Sequence, residues 1–134
     1  MFVDACAIIA LLSEEPEAER VSRALASASA RITSPVAVLE AVLGLARAEK
    51  FDMGVAAVEP IVLEFLEARD IEIRDLPPAP ETVRLAVSAA DRYGSGRRRL
   101  NLGDCLHYAC AKYYRTPILA TADEFRQTDL ETVP

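Results

Sequence analysis

The apolar positions of this chain fall into short blocks, each closed by a charged or turn-forming residue. Phe2 and Val3 make a brief buried run that ends on a carboxylate, which predicts a strand over Met1–Asp4. Ala5–Leu12 is apolar throughout and reads as a helix stopped by Ser13-Glu14-Glu15-Pro16. Pro16 suits the first turn of a second helix, which has Glu17 and Glu19 near its positive end and continues through Val21, Ala24 and Leu25. Arg31-Ile32-Thr33 predicts a strand, and Ser34-Pro35 a cap followed by a proline at the first helical position. From Val36 to Lys50 the spacing predicts a helix with Val36, Leu39, Leu43 and Ala46 on one face.

The second half repeats this alternation. A helix over Asp52–Ala68 precedes Ile71-Glu72-Ile73, which alternates like a strand. Pro77-Pro78-Ala79-Pro80 punctuates before a helix from Glu81 to Tyr93, and Gly94-Ser95-Gly96 opens a loop that carries three arginines. Gly103–Tyr114 reads as a helix, Pro117–Ala120 as a strand and Leu130–Val133 as a last edge strand. Strands separated by helices predict an α/β fold: a central, mostly parallel sheet flanked by helices. No internal repeat or composition break divides the 134 residues, so one domain over 1–134 is expected.

Composition narrows the function classes. With 51% hydrophobic residues the chain has enough apolar surface for a core, which excludes a disordered tail. The uncharged run Ala5–Leu12 is far short of the roughly 20 residues that span a bilayer, and no basic segment precedes it. Three cysteines, Cys6, Cys105 and Cys110, fit reduced thiols in a cytoplasmic protein. His107 is the only histidine and no CxxC pair exists, which argues against zinc. A net charge of −6 argues against holding nucleic acid by bulk electrostatics. It leaves room for a nuclease, because bound divalent cations reverse the sign around a carboxylate cluster.

Four acids then stand out. In open α/β sheets ligands bind beyond the carboxyl ends of the strands. Asp4 follows the first strand and Asp123 follows Ile118–Ala120. Asp104 opens a helix, and Glu40 lies inside the apolar segment VAVLEAVLGLA. A carboxylate among aliphatic residues is costly unless something pairs with it, and a divalent cation is one such partner. Each acid also has a local explanation: Asp4 as a helix cap, Asp104 as a dipole partner, Glu40 as a solvent-facing residue, Asp123 as a turn former. Together they make an oxygen-rich set suited to Mg²⁺, with Mn²⁺ able to substitute. Asp123 is preferred to its neighbour Glu124, since its short side chain starts near the sheet edge.

The stretches that hold these acids resemble the motifs of PIN-domain toxins of the VapC type. MFVDACAIIALLSEEPEAERV resembles their opening, with Asp4 at the end of the first strand, and ITSPVAVLEAV their second motif, with Glu40. DRYGSGRRRLNLGDCLHYACAK is similar to the third, where Gly103-Asp104 opens a helix, and TPILATADEFRQTDL to the fourth. Cys6 departs from the serine or threonine usual there, and the arginine loop is short. The resemblance implies a PIN-like domain and a Mg²⁺-dependent ribonuclease. It also implies an antitoxin that restrains the nuclease, and a homodimer. Asp4 and Asp104 would be direct ligands, with Glu40 and Asp123 serving a second ion or water. The alternatives are a PIN-like interaction module without catalysis and a metal-dependent nuclease acting on DNA.

Other residues have weaker claims. Arg97, Arg98 and Arg99 match phosphate oxygens as guanidinium forks, or form a solvated loop. His107 is expected to pack or to lie at the surface, Cys105, Cys110 and most of the tyrosines to pack, and Arg126 to line a substrate groove. A phosphoryl-transfer site on Asp4 fits poorly: a dehalogenase-like pattern wants an aspartate at position 6, which is Cys6. A receiver wants a lysine after a late strand, but the only lysines are Lys50 and Lys112.

Overall fold

The computed structural model describes residues 1–134. Five strands, β1 (Phe2–Val3), β2 (Arg31–Thr33), β3 (Ile71–Ile73), β4 (Ile118–Leu119) and β5 (Thr132–Val133), form one sheet in the order β3-β2-β1-β4-β5. Every pairing is parallel. The helices are α1 (Ala5–Leu12), α2 (Ala18–Ser27), α3 (Pro35–Leu45), α4 (Val55–Ala68), α5 (Ala79–Tyr93) and α6 (Leu102–Tyr113), with a 3₁₀ helix at Asp123–Gln127. The α/β architecture with a parallel sheet is borne out. No helix is long and apolar enough to cross a membrane.

The strand order sets the position of the site. From β1 the chain steps outward through β2 to β3, then returns by α5 and α6 to lay β4 on the other side of β1. The order therefore reverses at β1 and β4, and such a reversal opens a crevice beyond the carboxyl ends of the two strands. Asp4 follows β1 directly, and Thr121–Glu124 follow β4. Phe2, Val3, Ile118 and Leu119 are wholly buried, so this pair of strands sits at the centre of the single core.

Side-chain caps set the starts of α1, α3 and α6. The side chain of Ser34 caps α3 by accepting from the Ala37 N–H at 3.2 Å, with Pro35 at the first position as expected. Asn101 and Asp104 form a reciprocal capping box on α6: Asn101 Oδ1 accepts from Asp104 N at 2.9 Å, and Asp104 Oδ2 from Asn101 N at 2.8 Å.

Several expectations need correction. The second helix begins at Ala18, which leaves Pro16 in the preceding turn. The helix expected over Val36–Lys50 ends at Leu45, and the one expected from Asp52 starts at Val55. The core face of α3 is Ala37, Ala41, Val42 and Leu45, while Leu39 (56%) and Leu43 (47%) are exposed. Nearly every residue from Val36 to Ala46 is apolar, so periodicity did not select the face; close packing did. A Cβ on Gly44 would lie 2.6 Å from Ile9 Cδ1, so α1 and α3 meet through small residues and the larger leucines turn outward.

Candidate active site

At the crevice, Asp4, Glu40, Asp104 and Glu124 line one open cleft of about 380 Å³. Its other walls are Ala5, Cys6 and Ile9 of α1, Leu43, Gly44 and Arg47 from α3 and the turn after it, Asn101, and Ala122 with Phe125.

Asp4 is buried and serves as N-cap of α1, its Oδ2 accepting from the Cys6 N–H at 3.1 Å. Its other oxygen, Oδ1, is buried without a hydrogen bond. The cap thus accounts for one oxygen and leaves the other without a hydrogen bond, as a cation ligand would need. Asp104 is similar: Oδ2 closes the capping box, and Oδ1 receives no bond. Burial pushes the Asp104 carboxyl above its ordinary value against the pull of the Asn101 N–H, and nearby Asp4 adds to the rise. A cation close by would reverse that pressure.

Glu40 projects from the middle of α3, half-exposed, and Gly103 is where it comes to rest. His107 Nε2 stands 2.7 Å from Glu40 Oε2 and 3.6 Å from Asp4 Oδ1. Burial lowers the histidine's tendency to hold a proton, but the bond to Glu40 and the charge of Asp4 outweigh it, so its pKa is raised. His107 was expected to pack or to lie at the surface; it packs and also touches two of the four acids. Its signal in the sequence is its spacing, one helical turn after Asp104 on the same face.

Asp123, expected as the fourth acid, lies outside the cleft, and Glu124 lines it instead. Asp123 is exposed, with Oδ1 3.3 Å from Arg126 Nε and Oδ2 3.5 Å from Arg98 Nη2. The cause is the 3₁₀ helix that begins at Asp123, in which side chains three apart eclipse. Positions 123 and 126 thus share the outer side, while Phe125 is buried and Glu124 faces the crevice with Oε2 buried and unpartnered. Arg126 is drawn to Asp123 and to the Pro134 carbonyl rather than to the groove.

The arginine triplet is exposed and does not line the cleft; Arg98 pairs with Asp123 outside it. Arg47 does line it, is exposed, and makes no ion pair. Its signal is also a spacing: Glu40, Gly44 and Arg47 follow one face of α3 and its extension. Cys6 accepts from the Thr121 N–H at 3.2 Å, which ties the loop after β4 to α1. Burial and the neighbouring Asp4 push its thiol up, so it remains protonated and is no thiolate nucleophile.

The donor set is all carboxylate, the chemistry of hard divalent cations. No three donor side chains are gathered tightly enough to cage an ion by themselves. Mg²⁺ does not need such a cage, because it keeps several waters and is held by one or two carboxylates together with substrate phosphates. The unpartnered buried oxygens of Asp4 and Glu124 fit that role.

The PIN domain family model matches residues 1–129. The chain belongs to the PIN domain family. The VapC-type resemblance of its motifs is borne out: this PIN domain is 36% identical to Ribonuclease VapC36 of Mycobacterium tuberculosis, over 98% of its own length and 91% of that protein's. It superposes on the crystal structure of M. tuberculosis VapC20, described as a Sarcin-Ricin loop cleaving toxin, with a TM-score of 0.71 at 17% identity, covering 99% of this chain and 98% of that one. A toxin-antitoxin complex from Klebsiella pneumoniae aligns with a TM-score of 0.70 at 19% identity, covering 99% and 95%. These two likenesses speak to the fold.

Proposed function

We propose that this PIN domain is an endoribonuclease of a toxin–antitoxin pair, and that its cleft takes Mg²⁺, or Mn²⁺ in its place, on Asp4, Glu40, Asp104 and Glu124. The observation that carries the reading is the crevice itself: four carboxylates from four chain segments line one cleft at the strand-order reversal, and buried oxygens of Asp4 and Glu124 accept no hydrogen bond. The VapC ribonucleases to which the chain is similar supply the substrate class.

When bound, a divalent cation supplies positive charge that acidifies a water and offsets charge on the scissile phosphate. Asp4 and Asp104 present their free oxygens from short, capped side chains, which suits direct ligation. Glu40 and Glu124, on longer side chains, suit orientation of water or a second ion. Arg47 at the rim offers a guanidinium to the RNA backbone, and Arg97 and Arg99 stand exposed in the loop that leads to Asn101, another residue of the cleft.

The surface beside the cleft supports the antitoxin partner. An apolar groove of about 590 Å³ between α3 and α4 is lined by Val38, Leu39, Val42, Val55 and Ile73. It shares α3 with the acid cleft, so a bound segment there would bring a basic side chain within reach of the acids. A second apolar face, with Val83, Val87 and Leu102 each more than half exposed, supports a homodimer.

Incubating the purified chain with total RNA, with Mg²⁺, Mn²⁺ or a chelator, tests the reading. New RNA ends are expected only with metal, and only from protein that retains Asp4. Cleavage that survives both chelation and Asp4→Asn would overturn the metal-dependent reading. Equal cutting of single-stranded DNA would replace RNA as the substrate class.

A further inference from the structure

His107 is wholly buried, and its ring is held at the core by Phe2, 5.7 Å away between centroids. A buried imidazole is an expensive way to fill space. Its Nδ1 has no hydrogen-bond partner, and burying a polar atom unpaired is unfavourable where an aliphatic side chain would have been neutral. Any compensation comes through Nε2, which faces carboxylate oxygens of Glu40 at 2.7 Å and Asp4 at 3.6 Å. Both neighbours are acceptors, so Nε2 carries the hydrogen.

Glu40 needs such a tether. Its side chain is 39% exposed, has three rotatable bonds and starts from a helix edge that also faces solvent. It also stands beside the buried carboxylate of Asp4, whose charge repels it. The Nε2–H group between the two acids offsets that repulsion and occupies Oε2, while Gly103 gives the carboxylate room to lie against α6. Oε1 is left without a hydrogen bond.

We propose that His107 is a positioning residue of this centre, which holds Glu40 by one oxygen beside Asp4 so that the other stays available to a divalent cation or its water. The proposal rests on the reading of the cleft as a carboxylate metal site. Partners behind metal-ligating carboxylates commonly change metal affinity about 10–100-fold when they are removed.

Mn²⁺ binding by the full chain tests this by calorimetry, with thermal melting of the metal-free proteins alongside. His107→Leu fills the space without a donor, and His107→Gln brings an amide N–H near the Nε2 position. The expected result is Mn²⁺ affinity on the order of 10-fold weaker or more for His107→Leu and close to wild type for His107→Gln. In addition, Glu40→Gln should add little on top of His107→Leu. Equal Mn²⁺ affinity of the Leu and Gln variants, whatever their melting temperatures, would make His107 a packing residue and overturn the proposal. Wild-type protein that takes up no Mn²⁺ would instead bring down the metal-site reading, and the proposal with it.

Discussion

Glu40 and Gly103 compete for the same space: a Cβ on Gly103 would stand 2.8 Å from Glu40 Cδ and overlap its carboxylate. Gly103 is in the first turn of α6 with ordinary helical backbone, so its lack of a side chain serves the glutamate rather than the chain's own conformation. Gly103→Ala gains about 0.4–1 kcal/mol from restricting the unfolded chain, but it takes from the buried His107 its one hydrogen-bond partner, a loss of about 1–3 kcal/mol, so the variant should fold and melt somewhat below wild type. The same methyl pushes Glu40 away from His107, and single-turnover RNA cleavage should fall on the order of 10-fold. Cleavage at the wild-type rate from a normally folded variant would show that the placement of Glu40 does not matter.

Glu124 and Asp123 are adjacent but face opposite ways, and their substitution should separate them. Glu124→Gln removes a charge from the cleft, and a loss of about 10-fold or more in cleavage at saturating metal is expected. Asp123→Asn breaks only exposed pairs with Arg98 and Arg126, and such pairs contribute about 0–1 kcal/mol. Its rate should stay within about two-fold of wild type. A larger loss for Asp123→Asn would return the fourth acid to the position that the sequence favoured.

How far the sequence reached follows from the kind of signal each residue leaves. The strands and most helix starts were legible, because a capping serine, a proline or a strand-ending aspartate acts within a few residues. As acids of the cleft, Asp4 and Asp104 were legible for the same reason, at a strand end and a helix start, and Glu40 because a carboxylate stands out in an apolar segment. The side of α3 was not, since its packing on Ile9 depends on a helix thirty residues away. Asp123 against Glu124 turned on whether the chain after β4 is a loose turn or a 3₁₀ helix, and one residue of phase there exchanges inside for outside. His107 was set aside and Arg47 not singled out, because their spacing from Asp104 and Glu40 gains meaning only from what lies across the cleft.

Asp129 gives a pH prediction away from the cleft. It accepts from Tyr108 Oη at 2.8 Å and from Lys112 Nζ at 3.1 Å, with Arg92 Nη1 at 3.6 Å. Burial alone would raise its pKa, but these partners outweigh burial and hold the carboxyl below its ordinary value. The sign follows: the stabilisation is complete above the unfolded value of about 3.9 and is lost as pH falls through the lower folded value. Asp129→Asn should melt below wild type at neutral pH, and the gap should close as pH drops below about 4. Because the side chain is 41% exposed, added salt should also shrink the gap. A gap that does not change with pH would mean that the charge contributes nothing.

Arg47 gives the last prediction, which concerns substrate rather than metal. A chain of net charge −6 gains little from its overall field when it approaches RNA, so individual cations near the cleft matter more. Arg98 is engaged by Asp123, whereas Arg47 lines the cleft and has no ion pair to break before it meets a phosphate. Arg47→Gln should raise KM for RNA about five-fold, the equivalent of about 1 kcal/mol, and leave Mn²⁺ affinity unchanged. The salt dependence gives an independent reading. Each phosphate contact on a single strand contributes about 0.7 to the slope of log affinity against log salt, so the variant's slope should be shallower by about that amount. An unchanged slope would place Arg47 outside the RNA path, and a weakened Mn²⁺ affinity would mean that the guanidinium acts on the acids instead.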